Sequence, residues 1–202
     1  MQHFRFGPIY AMLMVVSLVN VSGCIFDTRE PELPGATVDY VDASDPGNVV
    51  FNLEQALTEL DPGGYISMLS PDFRYEPDGG TLANYSGVDW ENWGYEEESA
   101  FIGAFLSNVT GVTANLNLEI VDGDESGTGT EALVRYISST EVQEGGGEVK
   151  YRSSTTMEFR IEGTFWTLVR WFDEQGETDP DTNSLLPTLG QRRGAFAASG
   201  GR

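Results

Sequence analysis

Asp173, Tyr136 and Arg170 are the residues of this chain whose types best suit acid–base chemistry. A carboxylate and a phenol exchange protons with a substrate when a cleft shifts their pKa values, and a guanidinium holds the carbonyl or carboxylate of that substrate. All three lie on, or directly after, stretches with the alternating pattern of β-strands. They form the candidate catalytic set.

The setting of Arg170 leaves three interpretations open. It stands between Leu168 and Phe172 in the most apolar stretch of the chain, where an unpaired guanidinium would be costly. Arg170 therefore pairs with a carboxylate as a structural bridge, binds an anionic or carbonyl ligand at a cavity mouth, or extends its head group to solvent. Arg135 poses the same question on another stretch.

Aromatic residues supply the candidates for ligand contact. Trp90, Trp93 and Tyr95 fall in a polar loop, and aromatic side chains on a loop that rims a cavity bind apolar ligands or sugars. The alternative is that they cap the core. The predicted ligand pocket consists of Trp90, Trp93, Tyr95, Arg135, Arg170 and Trp171.

Asp122, Asp124 and Ser126 have the spacing of the first half of a calcium-binding loop, followed by glycine. The second half fails, because Leu133 stands where such a loop carries a bidentate glutamate. The pattern therefore indicates an acidic connection between strands, with calcium binding as the alternative.

The amino terminus has the pattern of a secretion signal. His3 and Arg5 precede an uncharged, mostly apolar stretch that is too short to span a membrane. At its end, Val21–Cys24 resembles the lipobox of bacterial lipoproteins, and the resemblance implies cleavage before Cys24 and acylation of that cysteine. The alternative is an ordinary signal peptide with a buried cysteine. Ile25 after the cysteine implies the outer membrane, if the cell has one.

Processing at this site would remove the only histidine, and it would commit the only cysteine to lipid. Histidine bases, Ser-His-Asp and Cys-His nucleophiles, and zinc or haem sites with histidine or cysteine ligands would then lose their residues. We therefore expect no cofactor.

Charge excludes one class of partner. The chain has 32 acidic and 11 basic side chains, a formal net charge of −21. Nucleic-acid binders carry a basic patch, and none is present here. The 40% content of hydrophobic residues is enough for a folded core.

Three amphipathic helices are expected early in the folded part. Asp45 and Asp61 each precede a proline, a pair typical of helix starts, since the carboxylate caps the first turn and proline fits the first helical position. Apolar residues recur three and four apart after both, and again after Glu96–Glu98. Between the second and third helices we expect a brief strand from Phe73 to Tyr75, then a polar, glycine-bearing loop.

From residue 113 onward the apolar pattern has a period of two, which indicates strands. The last predicted strand is apolar on both faces and therefore belongs in the middle of the sheet. A short helix is predicted near 185–196. The predicted strands are 113–120, 132–142, 149–162 and 165–172.

The run Leu69–Phe73, the strand Trp166–Trp171 with Asp173 after it, and the tail Leu189–Phe196 are similar to those of NTF2-like (SnoaL-like, cystatin-like) proteins, in particular uncharacterised bacterial lipoproteins. This resemblance implies an α+β cone in which N-terminal helices pack on a curved, mostly antiparallel sheet. The predicted organisation is a signal peptide (1–23), a lipidated tether (24–45), the NTF2-like domain (46–175) and an acidic tail (176–202).

In that superfamily the cone encloses a cavity that binds small apolar ligands, supports isomerase, dehydratase or cyclase chemistry, or is filled by side chains. We expect a membrane-anchored, non-catalytic domain that binds a small apolar ligand or a protein partner, with pairing of two copies through the sheet face. The alternative is an isomerase- or hydrolase-type enzyme that uses carboxylates or tyrosines. No catalytic residues are transferred from the resemblance.

Overall fold

The computed structural model describes residues 38–119, 133–145 and 149–201, and for residues 119 and 133–138 the backbone alone. One compact unit begins at Val38. Cys24, most of the predicted tether and the candidate calcium loop with Asp122, Asp124 and Ser126 lie outside the described residues. No helix in the described part of the chain has both the length and the apolar character needed to cross a membrane.

Two capped helices begin the unit: α1 (Pro46–Thr58) and α2 (Pro62–Ser67). The Asp45 carboxylate accepts a hydrogen bond from the Asn48 N–H at 2.9 Å, and Asp61 accepts one from the Gly64 N–H at 3.0 Å. Both predicted helix starts are confirmed. The buried apolar stripe of α1 comprises Val49, Val50, Leu53, Ala56 and Leu57.

Residues 38–45, which the sequence placed in the tether, pack on α1. The Asn52 side chain is fully buried and forms hydrogen bonds with both the N–H and the C=O of Val41, at 3.0 and 2.7 Å. The C=O of Ala43 accepts a bond from the Trp166 N–H.

Two further helices follow, α3 (Gly79–Asn84) and α4 (Tyr95–Asn108), with a 3₁₀ turn between them at Trp90–Asn92. The amphipathic helix expected after Glu96–Glu98 is α4. The prediction of a continuous loop before it was wrong at α3. There Asp78 accepts hydrogen bonds from the N–H groups of Gly80 and Thr81, which closes a helical turn despite the glycines.

Five strands form one sheet: β1 (Leu69–Glu76), β2 (Val112–Glu119), β3 (Leu133–Glu144), β4 (Lys150–Glu162) and β5 (Phe165–Gly176). Their spatial order is β1-β5-β4-β3-β2. β5 runs parallel to β1, and the other neighbours are antiparallel. β5 thus has a partner on each side, as predicted from its apolar character. The predicted α+β class, with helices on a curved, mostly antiparallel sheet, is confirmed.

The two faces of the sheet differ. Toward the helices, Met157, Phe159, Leu168 and Trp171 are fully buried. On the opposite face, strand alternation places arginines that pair with carboxylates of neighbouring strands. These pairs are Arg152 with Glu141 and Glu177, Arg160 with Asp72 and Glu162, and Arg170 with Glu76 and Glu158.

The last helix of the described residues is α5 (Leu189–Ala198), which contacts α3, α4 and β4. The preceding segment returns along the sheet, where the Arg152 N–H donates to the C=O of Pro187. α5 approaches its neighbours closely, because a Cβ at Gly190 would overlap the Tyr75 hydroxyl and one at Gly194 would overlap the Tyr85 ring. The predicted terminal helix therefore belongs to the core.

A pair of substitutions in α1 tests which face it buries. Leu53 is fully buried, whereas Phe51 is 52% exposed. We expect Leu53→Ala to lower the free energy of unfolding by about 2–5 kcal/mol, because it leaves a cavity. Phe51→Ala, the matched control, should change it by about 0.5 kcal/mol or less. Equal losses in urea unfolding would contradict the packing described for α1.

Candidate functional site

The interior of the cone holds a carboxylate with four hydrogen-bond donors around it. Glu98 has no solvent exposure. Its Oε1 accepts from the Tyr65 hydroxyl at 2.9 Å and from Arg193 Nη2 at 2.7 Å. Its Oε2 accepts from Trp93 Nε1 and from Arg193 Nε, both at 2.9 Å. This set, Glu98 with Tyr65, Trp93 and Arg193, is called the Glu98 cluster below.

The Glu98 cluster joins four separate parts of the chain. Glu98 lies in the first turns of α4, where the helix dipole favours an anion. Tyr65 comes from α2, Trp93 from the segment before α4, and Arg193 from α5. The cluster thus connects the amino-terminal helices to the carboxyl-terminal helix through a single carboxylate.

Arg193 is also fully buried and lies among aromatic rings. Its guanidinium carbon is 4.1 Å from the centroid of the Tyr75 ring and 5.2 Å from those of Phe101 and Trp171. Burial opposes its charge, but the Glu98 carboxylate outweighs that effect and raises the pKa of Arg193. Within the described part of the chain, Nη1 of this guanidinium has no hydrogen-bond partner.

Asp173 is a second buried carboxylate in the same interior. Its Oδ1 accepts from Trp171 Nε1 at 2.8 Å and from the Thr155 hydroxyl at 3.3 Å. Its Oδ2 accepts from the Tyr75 hydroxyl at 2.8 Å and from the Gly190 N–H at 3.2 Å. Asp173 therefore also fastens the start of α5 to the sheet.

The two tyrosines act as donors to these carboxylates. Burial, together with the negative charge of Glu98, raises the pKa of Tyr65, and burial with the charge of Asp173 raises the pKa of Tyr75. Both phenols thus stay protonated at neutral pH. Since every carboxylate oxygen already accepts hydrogen bonds, Glu98 or Asp173 would have to lose a donor before taking a proton from a substrate.

The structure separates Asp173 from Arg170, two members of the candidate catalytic set. Asp173 faces the interior, whereas Arg170 lies on the opposite face of the sheet. There Arg170 Nε is 3.1 Å from Glu76 and Nη1 is 3.3 Å from Glu158, the carboxylate pairing that the sequence left open. The backbone of Tyr136 belongs to β3, and its side chain lies outside the described residues, as does that of Arg135.

Three of the candidate pocket residues meet in or beside the interior. Trp93 belongs to the Glu98 cluster, and Trp171 donates to Asp173. Trp90 stacks on Trp93 with ring centroids 5.1 Å apart. Tyr95 is half-buried against the core at the start of α4.

Sequence reasoning missed Glu98 and Arg193. Glu98 stands three, four and seven residues before Phe101, Ile102 and Phe105, on the buried stripe of α4. That spacing was the available signal, because a residue on the apolar stripe of a helix faces the core. The other two glutamates of the acidic turn are exposed.

A groove of about 1010 Å³ opens on the surface beside this interior. It lies between the first turns of α4, the segment before them and the end of α5. Tyr85, Trp93 and Phe196 line its apolar part, and Asp89, Glu96 and Glu97 line its acidic part. This space is called the α4/α5 groove below.

The described residues contain no group of three or more histidine, cysteine, aspartate and glutamate side chains that could hold a metal ion.

Comparison with known proteins gives structural likenesses only. No protein-family model matches the chain, and no curated protein matches it. Among solved structures, it is similar to a candidate aromatic ring hydroxylase from Novosphingobium aromaticivorans, with 14% identity, a TM-score of 0.48, and 72% of this chain and 92% of that chain covered.

An NTF2-like protein of unknown function from Pseudomonas putida is similar too, with 16% identity, a TM-score of 0.46, and 71% of this chain and 92% of that chain covered. A domain with a cystatin-like fold from Nostoc punctiforme has 13% identity, a TM-score of 0.46, and coverage of 62% of this chain and 72% of that chain.

A double-mutant cycle tests the buried ion pair. Arg193→Met and Glu98→Gln should each lower the free energy of unfolding by about 3–5 kcal/mol, because each leaves a buried charge without its partner. The double variant should lose clearly less than the sum of the two single losses. Arg192→Met is the control: Arg192 is half-buried and pairs with Glu144, so it should cost about 1 kcal/mol or less. Strict additivity in chemical unfolding would contradict a direct contact.

Asp78 should make the stability depend on acid pH. Although burial alone would raise the pKa of Asp78, hydrogen bonds from Thr81 and Thr188 outweigh it and lower the pKa below 3.8. A lowered folded-state pKa gives stability that is complete above the unfolded value and is lost as pH falls through the folded value. We expect the unfolding free energy of Asp78→Asn to fall less between pH 5 and pH 2 than that of the wild type, because the variant lacks the carboxylate that takes up a proton in this range.

The control for this pH series is Asp89→Asn, at an exposed position. It should keep the wild-type dependence on pH. If Asp78→Asn followed the wild-type curve at every pH, the hydrogen bonds around Asp78 would not favour its ionised form.

Proposed function

We propose that this protein is a lipid-anchored, non-catalytic binding domain of the cell envelope, which takes a small ligand with an apolar body and a positive charge in the α4/α5 groove. The observation that carries the proposal is the groove itself, where aromatic rings and three carboxylates line one space. Sites for small molecules are typically concave and apolar, with a few polar groups that fix orientation.

The membrane anchor is supported by the sequence around Cys24. A basic start, an apolar stretch and Val21–Cys24 have the order of a lipoprotein signal. The compact unit begins at Val38, so a short segment separates it from the proposed site of acylation. Acyl chains on that cysteine would hold the domain at a membrane surface.

Binding is favoured over catalysis by the state of the interior groups. Glu98 and Asp173 each accept hydrogen bonds on both oxygens from this chain, and α5 covers them. A substrate would have to displace α5 before it touched either carboxylate. The α4/α5 groove is open to solvent and requires no such step.

The class of ligand follows from the walls of the groove. Tyr85 and Phe196 offer ring surface to an apolar body, and Glu96 and Glu97 offer negative charge. The net charge of the chain, −21, adds a field that attracts cations. An organic cation with an aromatic or aliphatic body satisfies both walls.

The anchor is tested by the mass of the full-length protein expressed in a bacterium that acylates lipoproteins. We expect a chain that begins at Cys24, carries acyl groups and sediments with membranes. Cys24→Ser should be found without acyl groups and should leave the membrane fraction. An unacylated wild-type chain would contradict the anchor.

The groove is tested with phenethylammonium as a probe and 2-phenylethanol as its uncharged counterpart, titrated calorimetrically into the full chain. We expect the cation to bind at least about tenfold more tightly, which corresponds to about 1.4 kcal/mol from the acidic wall. Ala100→Trp, which fills the groove, should abolish binding.

Ser107→Trp is the matched control for that variant, since Ser107 is an exposed position of α4 outside the groove. It should bind like the wild type. The proposal fails if the cation does not bind, if the alcohol binds equally well, or if Ala100→Trp binds as well as Ser107→Trp.

A further inference from the structure

The Glu98 cluster has the geometry of a receptor for one particular cation. Two parallel N–H groups of Arg193, on Nε and Nη2, each meet one oxygen of Glu98, at 2.9 and 2.7 Å. This two-pronged match selects a planar cation with two adjacent N–H groups over an ammonium, which is a compact point charge. Tyr65 and Trp93 take the other lone pairs of the carboxylate and fix its orientation.

The walls around this carboxylate suit the same class of cation. The Tyr75 ring lies 4.1 Å from the guanidinium carbon, and the rings of Phe101 and Trp171 lie 5.2 Å from it. Aromatic faces attract cations, and a guanidinium loses less hydration than an ammonium when it enters such a space. The cone thus supplies a carboxylate and three rings, none of which belongs to α5.

Arg193, which occupies this site, belongs to α5, a helix that is weak by itself. An isolated helix of ten residues is marginal in water, and α5 contains two glycines, Gly190 and Gly194. Thr188 stands at the cap position but makes no capping hydrogen bond, and the Asp173 carboxylate of β5 accepts from the Gly190 N–H instead. Contacts with the rest of the unit, among them those of Arg193 and of the Gly190 N–H, therefore hold α5 in place, and α5 opens locally when they break.

The unpartnered nitrogen narrows the class of ligand. Nη1 of Arg193 is buried and has no hydrogen-bond partner within the described residues. The site thus satisfies two of the three nitrogens of a guanidinium. An amidinium, which carries carbon in place of the third nitrogen, would place both of its nitrogens against Glu98.

We propose that the interior of the cone is a binding site for small guanidinium and amidinium cations, formed by Glu98, Tyr65, Trp93 and the rings of Tyr75, Phe101 and Trp171, which this chain occupies with its own Arg193. A free cation of this class binds there when α5 withdraws. Trp93 belongs both to this site and to the α4/α5 groove, but the Glu98 carboxylate does not line the groove, and the inference does not depend on the proposed function.

The first test uses the full chain carrying Arg193→Ala, with ethylguanidinium as the probe, since that ion replaces the atoms the substitution removes. At 10 mM it should raise the midpoint of thermal unfolding by about 3 °C if its dissociation constant is about 1 mM. Acetamidinium should act at least as strongly, and ethylammonium should have no effect. Arg192→Ala, at the neighbouring arginine on the surface side of α5, should respond to none of them.

The second test uses the wild type and so does not depend on the folding of a variant. Amides of α5 exchange with deuterium through openings in which Arg193 leaves the site. A cation that binds the open form should accelerate this exchange by about tenfold at ten times its dissociation constant. Ethylguanidinium and acetamidinium should accelerate it, and ethylammonium should not.

The proposal is overturned if the three cations act alike, or if none of them acts on the wild type. It is also overturned if only a peptide of residues 188–201 accelerates exchange, because the site would then accept the helix rather than the cation. Loss of the selective effect in Glu98→Gln would support the assignment of the carboxylate.

Discussion

Arg193 and Glu98 face each other with no exposure to solvent, and charges in such a place are tolerated only when they are paired and held by hydrogen bonds. This constraint explains the arrangement around them. Tyr65 and Trp93 supply the remaining donors to the carboxylate. The Tyr75 ring supplies a face to the guanidinium. These contacts join α2, α4, α5 and the sheet around the Glu98 carboxylate.

The same constraint divides the molecule into a closed and an open region. Inside, both buried carboxylates accept hydrogen bonds from this chain, Glu98 within its cluster and Asp173 from Tyr75, Trp171 and Gly190. Outside, the α4/α5 groove keeps aromatic and acidic side chains available to a ligand. Both regions share α5, so a change at Arg193 would also be felt by Phe196 at the groove.

Much of the fold could be predicted from local patterns. The Asp-Pro pairs before α1 and α2 carry their own capping chemistry, and the alternation along β4 and β5 specifies which side chains face the core. α3 was missed because glycine-rich sequence usually indicates a loop, and its helical turn depends on the carboxylate of Asp78. Local signals thus predicted elements whose stabilising contacts lie within a few residues.

The interior site was harder to predict from the sequence, because its contacts join residues far apart in the chain. Trp93, Trp171 and Asp173 were candidates for a pocket or for proton transfer, and the structure brings them to the interior. Glu98 was interpreted only as part of the acidic start of a helix, and Arg193 was not considered, because each charge is acceptable in the core only in the presence of the other. The spacing of Glu98 places it on the buried stripe of α4, but its pairing with Arg193 has no signal in either segment alone.

The exchange of the arginine side-chain Nε–H protons with deuterium, followed by nitrogen-resolved NMR, tests the central claim most directly. Arg192 is half-buried, so the adjacent side chain serves as an internal reference. The account predicts that the Arg193 Nε–H exchanges as slowly as the protected backbone amides of α5, because it donates to Glu98 inside the cone. Exchange of Arg193 at the rate of Arg192 would contradict the buried ion pair on which this account rests.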